Sequence, residues 1–106
     1  MNDNTERVIP SKTYLLFYPS SNGHAGHLSE AIGVHLACAP ASNVTLTATP
    51  TTGITATPST LTFTPANYLT NQSVTISGRT YGSVRLAAPG YVSADVDVEY
   101  DPCVTC

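Results

Sequence analysis

Apolar and polar residues alternate along most of this chain. In NVTLTATP (43–50), Val44, Leu46 and Ala48 fall on one side and Thr45, Thr47 and Thr49 on the other. STLTFTP repeats the pattern, with Leu61 and Phe63 set between Thr60, Thr62 and Thr64, and QSVTISG turns Val74 and Ile76 inward. AIGVHLA aligns Ile32, Val34 and Leu36, and GSVRLAAPG is centred on Val84 and Leu86. YVSADVDVEYD sets Val92, Ala94, Val96, Val98 and Tyr100 against Ser93, Asp95, Asp97, Glu99 and Asp101. A period of two is that of a strand with one buried face. Leu28, Ile32 and Leu36 also fit a helical i, i+4, i+8 spacing, but Gly33 and Val34 disfavour a helix there.

Turn formers punctuate these runs: Asn22-Gly23, Gly53, Pro58 and Pro89-Gly90. About six to eight short strands with turns at this spacing predict an all-β fold, a single antiparallel β-sandwich. The sandwich is expected over residues 13–101. An irregular N-terminal arm (1–12) precedes it and a short C-terminal tail (102–106) follows, with Gly53 and Pro58 marking a link between strands.

KTYLLFYP (12–19) breaks the rule by being apolar on both sides, with Tyr14, Leu16 and Tyr18 facing one way and Leu15 and Phe17 the other. Such a strand is either enclosed in the core or pressed against something outside the domain. Tyr14, Leu15, Phe17 and Tyr18 are the expected partner-binding anchors, because aromatic side chains carry a large share of interface energy. The competing reading makes this segment an ordinary first strand.

Composition narrows the function. Only 10% of the 106 residues are charged, and the net charge is −3. Four basic residues, Arg7, Lys12, Arg79 and Arg85, make no footprint for nucleic acid or anionic lipid. No apolar run is long enough to span a bilayer as a helix, so membrane insertion is not expected. The polar start, MNDNTERVIPSKT, has no apolar core of a secretory signal. No nucleophile elbow, phosphate loop or histidine with an orienting acid points to catalysis, so the chain is read as non-enzymatic and without a cofactor.

LSEA (28–31), HLACAPASNVTLTAT (35–49), PSTLTFTPANY (58–68) and NQSVTISG (71–78) together resemble the Calx-β-like, immunoglobulin-like repeat of extracellular and phage-encoded proteins. The resemblance is detailed over residues 28–78 and extends in outline to about residue 100. It implies a two-sheet sandwich used for adhesion, spacing or decoration, in some members with calcium at one end. In such repeats acidic residues after the NQSVTI-like strand help to hold the ion. Here Arg79 stands in that place, and Glu30 is the one carboxylate that matches. A calcium cage takes roughly six to eight oxygens, so no ion is expected on that basis.

The remaining candidates are weaker. Asp95, Asp97 and Glu99, with Asp101, form an acidic stripe whose members are spaced about 7 Å apart, too wide to chelate one ion unaided. With Glu30 they are the weak metal candidates, and solubility is the simpler role of the stripe. His24, His27 and His35, with Cys38 and the C-x₂-C pair Cys103 and Cys106, lack the second half of a zinc site. Three cysteines cannot all pair within one chain. Cys103 and Cys106 form a possible disulfide, a tail cysteine bridged to Cys38 is an alternative, and reduced thiols are the simplest state. Asn43 and Asn71 begin glycosylation sequons that a Ser/Thr-rich chain generates by chance.

The expected function is that of a virion decoration or auxiliary capsid protein of a tailed bacteriophage, assembled in the host cytoplasm. It would dock on a capsid or other virion protein, or on copies of itself, by apolar burial and strand addition. The alternative is an extracellular or cell-surface adhesion module binding glycan or protein.

Overall fold

In a computed structural model, residues 6–20, 23 and 25–102 are described. Among them are nine strands and no helix: β1 (Val8–Pro10), β2 (Tyr14–Phe17), β3 (Ser29–Leu36), β4 (Val44–Pro50), β5 (Ile54–Thr57), β6 (Thr60–Phe63), β7 (Gln72–Gly78), β8 (Gly82–Ala87) and β9 (Ala94–Tyr100). They form a four-stranded sheet in the order β1-β3-β7-β5 and a five-stranded sheet in the order β2-β9-β8-β4-β6. The inward residues of both sheets share one core, giving a sandwich-like all-β arrangement.

The period-two reading places that core correctly. Ile32, Val34 and Leu36 of β3, Leu46 and Ala48 of β4, and Leu61 and Phe63 of β6 are buried. So are Val74 and Ile76 of β7, Val84 and Leu86 of β8, and Val96 and Val98 of β9. Each large member stabilises the fold by about 1.5–3 kcal/mol relative to exposure. The threonines alternating with them point outward, where a branched side chain suits the pleat and its hydroxyl stays solvated. Val92, expected on the inner face, is exposed, because β9 begins only at Ala94.

Three features depart from expectation. The arm is not irregular throughout: Val8–Pro10 pairs antiparallel with β3, Val8↔Leu36 through Pro10↔Val34, and Val8 is buried. Its Val8 N–H donates to Val92 O, and Ala37 N–H donates to Arg7 O. The sandwich is also not wholly antiparallel. After β1 the chain crosses to the other sheet, and β2 joins β9 in parallel, from Tyr14↔Asp97 to Phe17↔Tyr100. Finally, the link after Gly53 contains β5, whose Ile54 is buried and whose partner is β7. Residues 1–5 lie outside the described residues.

The Pro-Ala-Asn-Tyr link between β6 and β7 is a turn closed by its own side chains. Thr64 Oγ1 accepts from Ala66 N–H and Asn67 N–H, while Asn67 Oδ1 accepts from Thr64 N–H at 2.7 Å. Tyr68 O then accepts from Leu36 N–H, tying the turn to the end of β3. Connectors 37–43, 64–71 and 88–93 therefore gather at one end of the sandwich. Connectors 18–28, 51–53 and 79–81, with Pro102, lie at the other.

Candidate interaction surface

β2 is the edge strand of the five-stranded sheet, and its alternation divides the four expected anchors. Leu15 and Phe17, at 2% and 0% exposure, belong to the protein's own core and are not presented to a partner. Tyr14 and Leu16 point outward at 51% and 38% exposure, and Tyr18 is half-buried. The backbone alternates too. The carbonyls of Thr13 and Phe17 accept from Asp97 N–H and Asp101 N–H, so the residues between, Tyr14 and Leu16, turn their N–H and C=O groups away from β9. Among the described residues these outer groups make no main-chain bond.

Two of the other three edges are managed differently, whereas β5 has β7 as its one strand partner among the described residues. On β6, Gln72 Nε2 donates to Thr62 O at 2.7 Å. On β1, Val8 N–H donates to Val92 O, and Val92 N–H donates to Glu6 O just before the strand. Strand edges left open are templates for added strands, and among the described residues β2 is one.

The sheet face beside β2 is partly aromatic and partly acidic. The Tyr14 hydroxyl donates to Glu99 Oε1 at 2.6 Å, and this carboxylate, foremost among the causes, raises the phenol above its ordinary pKa. Tyr81, at 65% exposure, is near enough to contribute to the same shift. Along β9, Asp95, Asp97 and Glu99 form an exposed row. Arg85 meets Asp95, with Nε–Oδ1 at 3.4 Å, a solvent-exposed pair of small energetic value. No described cation meets Asp97 or Glu99. Leu16 and Tyr81 were not among the expected anchors. Leu16 was legible as the neighbour of Tyr14 on one side of the alternation, and Tyr81 as an aromatic in a polar turn, GRTYGS.

His27 belongs to a second cluster, between the sheets. Its main chain exchanges bonds with Tyr18, and its ring meets Phe17 edge-on with centroids 5.6 Å apart. His27 Nε2 lies 3.0 Å from Glu30 Oε1, and Lys12 Nζ donates to Glu30 Oε2. The Lys12 hydrogen bond, then that of His27, lowers the Glu30 carboxyl below its usual pKa. A carboxylate whose folded pKa is depressed contributes stability above its unfolded pKa and loses it as pH falls through the folded value. Glu30→Gln is therefore expected to destabilise the protein at neutral pH by less than about 1 kcal/mol. The gap to wild type should close as pH falls below the ordinary carboxylate range, read by thermal melts across pH. A gap independent of pH would contradict the pairing.

The metal candidates are not brought together: Glu30 lies on β3, whereas Asp95, Asp97 and Glu99 lie on β9 in the other sheet. Among the described residues no three His, Cys, Asp or Glu side chains converge on one point. His35 Nδ1 is 2.9 Å from Asn71 Oδ1, away from His27. His24, Cys103 and Cys106 lie outside the described residues.

Cys38 is half-buried with a free thiol at the end of the sandwich opposite Pro102. Both tail cysteines of the alternative bridge to Cys38 lie outside the described residues.

At the Cys38 end, Glu6, residues 38–45 and Pro89, Gly90 and Tyr91 line an open cleft of about 640 Å³. Tyr91 spans its floor by donating to Cys38 O at 2.8 Å, and burial pushes this phenol above its ordinary pKa. Asn43 is exposed at the rim. Comparison with known proteins matches no family model and no curated sequence.

Proposed function

We propose that this chain is a non-catalytic structural module that attaches to a larger assembly through the open edge of β2. The observation that carries the reading is that edge: Tyr14 and Leu16 offer outward main-chain groups and exposed apolar surface in the same two residues, with Tyr81 nearby. Strand addition uses both at once, main-chain bonds for affinity and side chains for specificity.

The scaffold we propose is the immunoglobulin-like, Calx-β-like sandwich. Its support is the strand order. β1, β3, β7 and β5 occupy the A, B, E and D places of such a fold, and β9, β8 and β4 the G, F and C places. The chain visits the D place before the place beside C, which is a local departure from the usual order. The setting we propose is the surface of a tailed-phage virion, where the docking partner is a capsid or other virion protein.

The test is co-sedimentation with purified particles on a density gradient. Wild type is expected to band with particles at a fixed copy number, and Leu16→Pro to remain at the top. Leu16→Pro removes an outward N–H and leaves the β2–β9 bonds in place. Wild type remaining at the top would overturn the reading.

The cleft favours a second reading, a cell-surface module that binds glycan or protein at its loop end. Amide shifts at Asn43 and Tyr91 on adding oligosaccharide, with none at Tyr14 and Leu16, would favour that reading over the first.

A further inference from the structure

Resting on the proposed docking through β2, we infer that the strand accepted there is basic, carrying Lys or Arg at alternate positions, and is not a second copy of this chain. A strand added to β2 runs about 4.8 Å beyond it, with β9 the next strand inward on the far side. Its side chains on the outer face lie beside Tyr14 and Leu16. A long cationic side chain at those positions crosses Tyr14 or Leu16 toward the β9 row behind them.

That row is negative where it matters. Asp97 stands level with Tyr14, and Glu99 level with Leu16. Arg85 is committed to Asp95, one position farther along β9, and Lys12 to Glu30 on the other sheet. The Tyr14 ring adds an aromatic face for the passing cation. The Tyr14–Glu99 hydrogen bond holds that ring and that carboxylate together before any partner arrives.

The same row argues against self-pairing. Two copies joined edge to edge through β2 would bring two sets of Asp97 and Glu99 toward one seam, and with a net charge of −3 each the copies repel. An edge that is apolar at its rim and acidic one strand behind excludes its own kind and admits a basic strand.

The experiment titrates isotope-labelled full-length protein with two extended peptides, one alternating Lys with Val and Thr and the other with Glu in place of Lys. The Lys peptide is expected to shift the Tyr14 and Leu16 amides, and its binding to weaken as salt rises from low to high. The double variant Asp97→Asn/Glu99→Gln, which leaves the core untouched, is expected to bind it about five- to tenfold more weakly. Leu16→Pro is expected to abolish the shifts.

Equal binding of the two peptides, or no loss in the double variant, overturns the basic-strand inference and leaves docking through β2 standing. Binding by neither peptide, or undiminished Lys-peptide binding by Leu16→Pro, overturns docking through the edge itself. Wild-type dimers joined through β2 in sedimentation and cross-copy contacts would make a second copy the occupant and also overturn the inference.

Discussion

Phe17→Ala is expected to cost about 3–5 kcal/mol of folding stability. That amounts to a fall on the order of 15–30 °C in melting temperature for a domain of this size. The ring is fully buried, contacts the His27 imidazole and sits where β2 closes the five-stranded sheet against the core. Its removal leaves a cavity bounded by strands held in both sheets, which cannot collapse freely. Tyr14→Ala, three residues earlier on the same strand, is expected to leave stability nearly unchanged, because its ring is exposed and its hydroxyl bond to Glu99 faces solvent. Urea unfolding of the two variants at constant m-value reads the contrast directly. Similar losses in both would mean that β2 does not alternate between core and solvent.

Gly82→Ala is the second large effect, expected at about 1–3 kcal/mol through overpacking. A Cβ at this position would fall 2.2 Å from Thr51 Oγ1 and 2.8 Å from Ile54 Cγ1. Both neighbours are committed: Thr51 Oγ1 accepts from Ser83 N–H at 3.0 Å, and Ile54 is buried in the core. The turn from β4 into β5 therefore rests directly on the first residue of β8. Thr51→Ala combined with Gly82→Ala is expected to recover part of the loss, since the nearest clash is then gone. Additive losses in a double-mutant cycle would show that the two positions do not touch.

Much of this fold was legible because strict alternation leaves few ways to bury Leu46, Phe63, Val74, Ile76, Val84, Leu86, Val96 and Val98 together. What escaped was short or depended on distant partners. Val-Ile-Pro at residues 8–10 has too few residues to show a period, and it becomes a strand because β3 and Val92 supply its hydrogen bonds. Ile54–Thr57 lies between Gly53 and Pro58, which read as a link, and its pairing with β7 is non-local.

The interaction surface shows the same limit more sharply. Sequence located KTYLLFYP as unusual, and weighting by aromatic content then favoured Phe17 over Leu16. Burial reverses that preference, since only the sheet that β2 joins decides which side of its alternation faces in. The acidic stripe was equally plain in sequence. That it lies one strand behind an open edge, level with Tyr14 and Leu16, depends on a parallel pairing between residues more than eighty positions apart, which no local pattern encodes.

In the proposed docking, β2 keeps Leu15 and Phe17 for the core and its β9 bonds while Tyr14 and Leu16 face a partner. Amide hydrogen exchange resolved by residue tests this most directly in the free protein. Alternation is expected along four consecutive residues: slow exchange at Leu15 and Phe17, fast exchange at Tyr14 and Leu16. Uniform protection, or uniform fast exchange across 14–17, would contradict it.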